Sequence, residues 1–312
     1  VRPDGREHVV VACDTVSDGV HTDLAYATPW DVGYKSLAVN VSDFAAMGAV
    51  PESALVALSL PRNSADSLIE GLASGFSDCA REHGVGLLGG DTTRSPGRLT
   101  MSVTLLGRTA NRRLMKRSGA REGDLLFVTG PLGGAHAGLR LLERWKKKPP
   151  GHGKARGRLE NVVAWARELS QECVERHLAP RARLGEGQLL AALAVRCCVD
   201  VSDGLVSDCG HIAKSSGLAV EIELSEVPRA EGVRQVARSV RRPAVEFALY
   251  GGEDYELVYT VRPARAGRVA DELESLTSRR PVRIGRVVRG RGVWLIRDGK
   301  RRRPTTTGYV HF

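Results

Sequence analysis

Apolar positions along this chain fall into short runs, several of which end on an aspartate or a glycine. His8-Val-Val-Val-Ala-Cys13 stops at Asp14 and predicts a strand with a carboxylate at its C-terminal end. Thr28-Pro29 then opens a helix in which Tyr34, Leu37, Ala38, Val41, Phe44 and Ala45 recur at helical spacing, and Gly48 is placed to end it. Asp43 falls off that stripe, in line with Ser36 and Asn40, and is expected to face away from the core. Ala54 to Leu60 predicts a strand stopped by Pro61, Ser64 to Glu82 a helix, and Val85 to Leu88 a strand running into Gly89-Gly90-Asp91. Leu99 to Gly107 closes this first unit as another strand.

A second unit follows Arg117-Ser-Gly-Ala-Arg-Glu-Gly-Asp124. Leu125 to Thr129 predicts a strand, Gly130 to Gly134 a glycine-rich turn and Ala135 to Trp145 a helix. The amides of that turn could face a phosphate, although it matches neither GxGxxG nor the Walker pattern. Asn161 to His177 returns to helical spacing, and Val195 to Val199 feeds Asp200-Val-Ser-Asp-Gly-Leu205, with a helix to about Ser215. Leu218 to Leu224 and Glu256 to Val261 are strand-like, as is Val293 to Arg297 before a turn at Asp298-Gly299. The order predicts an α/β (α+β) chain of two domains, residues 1–113 and 114–312.

A length of 312 residues suits two domains, and 42% hydrophobic residues with 35 glycines suit a folded α/β protein. The longest apolar runs are far shorter than the roughly 18 residues of a membrane span, so no membrane association is expected. No apolar h-region follows Val1 to Gly5, which gives a cytoplasmic expectation. The six cysteines lack zinc spacing and are expected to be small buried residues. The net charge of +10 concentrates between Arg140 and Arg158 and between Arg279 and Arg303. Neither region interleaves aromatics with its cations, so both read as solvated surface and no nucleic-acid partner is expected.

Five aspartates, Asp14, Asp43, Asp91, Asp200 and Asp203, stand beside or within two residues of Gly, Ser or Thr. Hard oxygens in small-residue settings suit magnesium and phosphate, and phosphoryl transfer needs charge neutralisation and alignment more than covalent help. Each site also has a plainer reading. Asp14 or Asp200 would cap a turn, Ser202-Asp203 would start a helix, and Glu253-Asp254 would be a solvated turn. No GxSxG or activated cysteine occurs. His21 reads as a substrate contact, not a base, because an ionised phosphate acceptor needs none.

With these residues in view, the chain resembles the thiamine-monophosphate kinases, in the superfamily that includes aminoimidazole ribonucleotide synthetase. The resemblance runs from about Val9 to Phe312. Its motifs are Asp14-Thr15 with Gly19-Val-His21, Gly33 to Gly48, Gly89-Gly-Asp-Thr-Thr-Arg94, and Arg117-Ser-Gly-Ala120 with Gly123-Asp124. Pro180-Arg181, Asp200 to Leu205, Gly251-Gly-Glu-Asp-Tyr-Glu-Leu257 and Gly308-Tyr-Val-His-Phe312 follow in order.

The resemblance implies ATP-dependent phosphorylation of thiamine monophosphate to thiamine diphosphate by direct in-line transfer. It implies several Mg2+ ions on Asp14, Asp43, Asp91, Asp200 and Asp203, and ATP contacts from Gly90, Asp91, Arg117 and Ser202. His21, Glu253 and Tyr309 would contact thiamine phosphate, Tyr309 as partner for an aromatic ring. It further implies a homodimer whose N-terminal sheets join into a barrel near the active sites. This sequence departs from the family at Ala12-Cys13, where hydroxyl pairs are usual, at Asp18 and Thr22, and in the basic stretch near residues 146–158. The family also carries a Gly-Asp-Asp segment ahead of the first shared motif, and none occurs between Val1 and His8. That opens a second reading, an N-terminally truncated remnant that folds and binds ligand. Another synthetase of the same superfamily is a third.

Overall fold

The computed structural model describes residues 8–109, 114–147 and 170–306. In β1 (Val9–Ser17) Val10, Ala12 and Val16 are buried while Val11, Cys13 and Thr15 face outward, the period of two of a sheet covered on one side. The strand runs past Cys13 because Thr15 and Ser17 pair their hydroxyls with Ser102 and Thr100 across the sheet, at 2.7 and 3.2 Å. Asp14 therefore sits in mid-strand opposite Val103, and not at a strand end. Cys13 is likewise exposed, whereas the other five cysteines are buried as expected.

α1 (Pro29–Met47) begins where Thr28 accepts from the Asp31 amide and Asp31 returns a bond to the Thr28 amide, a capping box. It ends at Gly48, whose φ of 66° suits glycine. β2 (Ala49–Pro61), α2 (Asp66–His83), β3 (Gly86–Ser95) and β4 (Thr100–Thr109) complete a four-stranded sheet of order β1-β4-β2-β3. α1 crosses α2 at close range. A Cβ on Gly33 would lie 2.0 Å from the Leu72 carbonyl oxygen, so only glycine fits there.

The second unit holds β5 (Leu125–Val128), α3 (Gly134–Lys147), the helical residues 170–178 (α4), α5 (Leu184–Ala192), β6 (Cys197–Asp200) and α6 (Leu205–Ser216). β7 (Ala219–Glu223), α7 (Val233–Ser239), α8 (Ala244–Tyr250), β8 (Leu257–Val261) and α9 (Pro263–Thr277) follow. β9 (Val282–Val288), β10 (Gly292–Arg297) and β11 (Lys300–Arg302) end the described chain. Its sheet has the order β11-β10-β7-β9-β5-β8-β6.

This unit covers the side of α1 turned away from the first sheet. Ser36, Asn40 and Ser42, on the polar side of the helix, are consequently buried. They bond inward: Ser42 donates to Asp200 at 2.6 Å, and the Asn40 side chain accepts from the Asp14 amide at 3.1 Å. The polar side of α1 thus packs against β1 through Asn40 and against the second domain through Ser42. Among the described residues, no helix is long and apolar enough to cross a membrane.

Candidate active site

A cavity of about 430 Å³ lies where β1, α1 and the loop after β6 converge. Four aspartates enter it: Asp14 from β1, Asp43 from α1, Asp200 from the last position of β6, and Asp203 three residues on. Asp14 and Asp43 share a side-chain hydrogen bond. Asp43 is pushed up to about 8 by burial and by the charges of Asp200 and Asp14, with Arg117 working in the other direction. Burial also raises Asp14 and Asp200. Carboxyls crowded enough to raise one another mark a place with more negative charge than its surroundings balance, and every donor is a hard oxygen. That donor set fits a divalent cation such as Mg2+.

The cavity is also lined by Val20, Val39, Leu139 and Tyr255 and by the Lys35–Glu253 ion pair. His136, pushed down to about 4 by burial, is uncharged at neutral pH. His177, lowered by burial and by Lys35, is uncharged too. Glu253 is held down to about 2, because Lys35 and His177 outweigh its burial. Its Oε1 stands 2.7 Å from the Lys35 ammonium and its Oε2 3.0 Å from Nδ1 of His177.

The loop after β6 departs from a helix cap. α6 starts one turn later than Ser202, with Gly204 at its cap and no side-chain bond there. The Asp203 amide instead donates to the buried Asp208, at 3.2 Å, which leaves Ser202 and Asp203 on the cavity wall. Glu253-Asp254 is no solvated turn either. Asp254 is buried and accepts from the Gly133 and Ala135 amides at 2.5 and 3.1 Å. The glycine-rich turn before α3 therefore already binds an anion, the protein's own, and is not the phosphate cradle its composition suggested.

The structure thus brings together Asp14, Asp43, Asp200, Asp203, Arg117, Ser202, His21 and Glu253. Arg117, Asp43 and Asp200 also line a second cavity of about 440 Å³ on their other side. Gly90 and Asp91 lie elsewhere, on the exposed edge strand β3. Three strand spacings separate β3 from β1, about 14 Å. Tyr309 and most of the basic stretch lie outside the described residues. Lys35, His136, His177 and Tyr255 line the cavity without having been singled out from the sequence. The one signal for Lys35 was a lone cation beside the apolar stripe of its helix.

Residues 1–109 match the family model of the AIR synthase related protein N-terminal domain, and residues 121–297 that of its C-terminal domain. The thiamine-monophosphate kinase of Escherichia coli (strain K12) is 35% identical over 308 residues, covering 98% of this chain and 87% of the relative. That of Aquifex aeolicus (strain VF5) is 33% identical over 306 residues, covering 97% and 88%. The crystal structure of thiamine-monophosphate kinase from Stenotrophomonas maltophilia K279a superposes with a TM-score of 0.81 at 35% identity, covering 96% of this chain and 87% of that one. A structure of AaThiL complexed with AMPPCP and TMP superposes with a TM-score of 0.82 at 30% identity, covering 98% and 88%. By sequence and fold, the chain belongs to the thiamine-monophosphate kinase family of AIR synthase related proteins.

Proposed function

We propose that this protein transfers the terminal phosphoryl group of ATP to thiamine monophosphate, giving thiamine diphosphate and ADP. The observation that carries the reading is the divided lining of the cavity: four crowded aspartates, and neutral and aromatic side chains around the Lys35–Glu253 ion pair. A phosphorylated substrate with an aromatic body fits that division. A phosphate oxygen of thiamine monophosphate attacks the γ-phosphorus in line, and the bond from that phosphorus to the bridging oxygen of ADP breaks. Asp14, Asp43, Asp200 and Asp203 would hold Mg2+ ions, which offset the charge of the triphosphate. Arg117 and Ser202 are assigned to ATP, and His21 and Glu253 to thiamine phosphate. Tyr309 keeps the substrate role that the resemblance gave it.

Asp91 and Gly90 fit this scheme through a homodimer. Among the described residues nothing covers the face of the first sheet opposite α1 and α2, and Val11 and Leu55 on its strands are 54 and 42% exposed. Leu87 and Leu88 on edge strand β3 are 60 and 66% exposed. A second copy covering this face would close the two sheets into a barrel and bring its Asp91 toward the carboxylates that Asp91 cannot reach within its own chain. Purified protein supplied with MgATP and thiamine monophosphate should form thiamine diphosphate, detected by chromatography. Binding of thiamine monophosphate with no product at any enzyme concentration would refute the kinase and leave a ligand-binding relative.

A further inference from the structure

We propose that Lys35 is a positioning residue for the substrate half of the site, fixing His21 and Glu253 at one spacing across the two domains. The proposal rests on the kinase reading above.

Lys35 sits in α1 and is 2% exposed. Its ammonium meets three acceptors: the His21 carbonyl at 2.9 Å, the His177 carbonyl at 3.2 Å and Oε1 of Glu253 at 2.7 Å. An ammonium has three N–H donors, so none remains for a bound phosphate. Lys35 therefore acts through its partners and not on the ligand. Those partners belong to both domains. His21 lies in the loop after β1, while His177 and Glu253 come from α4 and the segment before β8.

The geometry around Glu253 explains why such a device is needed. Glu253 and Tyr255 hold φ of 64° and 49°, a left-handed backbone that side chains larger than glycine disfavour. Their amides donate to the Ser202 and Val201 carbonyls at 2.8 and 2.9 Å, which ties the segment to the loop carrying Asp203. Held by Lys35 on one oxygen and faced by His177 on the other, the Glu253 carboxylate has its charge balanced where it stands. It offers the ligand a fixed acceptor and not a free negative charge.

Lys35→Met keeps the length of the side chain and removes every donor. It should raise the KM for thiamine monophosphate by at least about tenfold, with KM for ATP changed by less than about threefold. An unchanged thiamine monophosphate KM in the folded variant, or an equal rise in both KM values, would overturn the proposal. Because Lys35→Met leaves a part-buried carboxylate unbalanced, thermal unfolding is measured alongside, and Lys35→Met/Glu253→Gln removes both charges together. The double variant should bind thiamine monophosphate more weakly than Glu253→Gln alone, since the His21 carbonyl is released as well. Equal affinities would mean that Lys35 does not fix His21, and would overturn the proposal even if the single variant fails to fold. Wild-type protein that makes no thiamine diphosphate overturns the kinase reading itself, and the proposal falls with it.

Discussion

At the scale of single residues, the protonation of the carboxylate wall decides how the site takes up a cation. Asp43, held up to about 8 by burial and its acidic neighbours, keeps a proton at neutral pH that it would lose in the unfolded chain. Its contribution to the stability of the metal-free protein is therefore complete below about pH 4 and is lost as pH rises through about 8. A cation competes for the same oxygens. The Mg2+ concentration for half-maximal activity should rise by up to about tenfold for each unit that pH falls below 8. Mg2+ should correspondingly raise the unfolding temperature more at pH 8 than at pH 6, and a shift independent of pH would contradict this. Those aspartates were legible as a set because their motifs follow one another in the order that the resemblance requires; a neighbouring Gly, Ser or Thr alone would not have singled them out. Lys35 was not legible, since a single lysine beside an apolar stripe ordinarily reaches water. Only packing on both sides of the helix buries it.

At the scale of elements, the six residues from Gly251 to Glu256 tie α1 to several parts of the second domain. Glu253 reaches α1, Asp254 binds the amides at the start of α3, and Glu256 meets Arg183 at 2.7 Å and Thr129 at 2.7 Å. Asp254 is pushed up to about 7 by burial, against the two amides that favour its charge. A raised carboxyl stabilises the fold below about pH 4, and that contribution fades as pH rises through about 7. Asp254→Asn should flatten the fall of stability between pH 4 and 7 by up to about 1.4 kcal/mol per pH unit, read from denaturant unfolding. An unaltered slope would show that Asp254 does not titrate in this range.

The ends of α1 were readable from Thr28-Pro29 and Gly48, because caps are local chemistry. β3 was not. Its Gly89-Gly90 pair reads as a loop, yet hydrogen bonds from β2 carry the strand through to Ser95, with Leu88 bulged out between the pairs Ala54–Leu87 and Leu55–Gly89.

At the scale of the whole molecule, two domains meet across α1, and the carboxylate wall draws on both: Asp14 and Asp43 from the first, Asp200 and Asp203 from the second. Domain order and fold class followed from the succession of strands and helices, while the convergence of these residues depended on long-range packing that no local pattern encodes. The face of the first sheet opposite α1 and α2 gives the assembly a testable form. Leu55→Lys with Leu87→Asp should yield a monomer in sedimentation velocity and lower turnover by at least about a hundredfold, because Asp91 would then serve no site. A wild-type monomer with full activity would rule out a site completed by a second copy. The most direct measurement follows phosphate labelled at the γ-position of ATP in the presence of Mg2+ and thiamine monophosphate. Label should appear in thiamine diphosphate with the wild-type protein, and Asp200→Asn should slow its appearance by at least about a hundredfold. Unlabelled thiamine diphosphate, or an Asp200→Asn rate equal to wild type, would contradict phosphoryl transfer at this carboxylate wall.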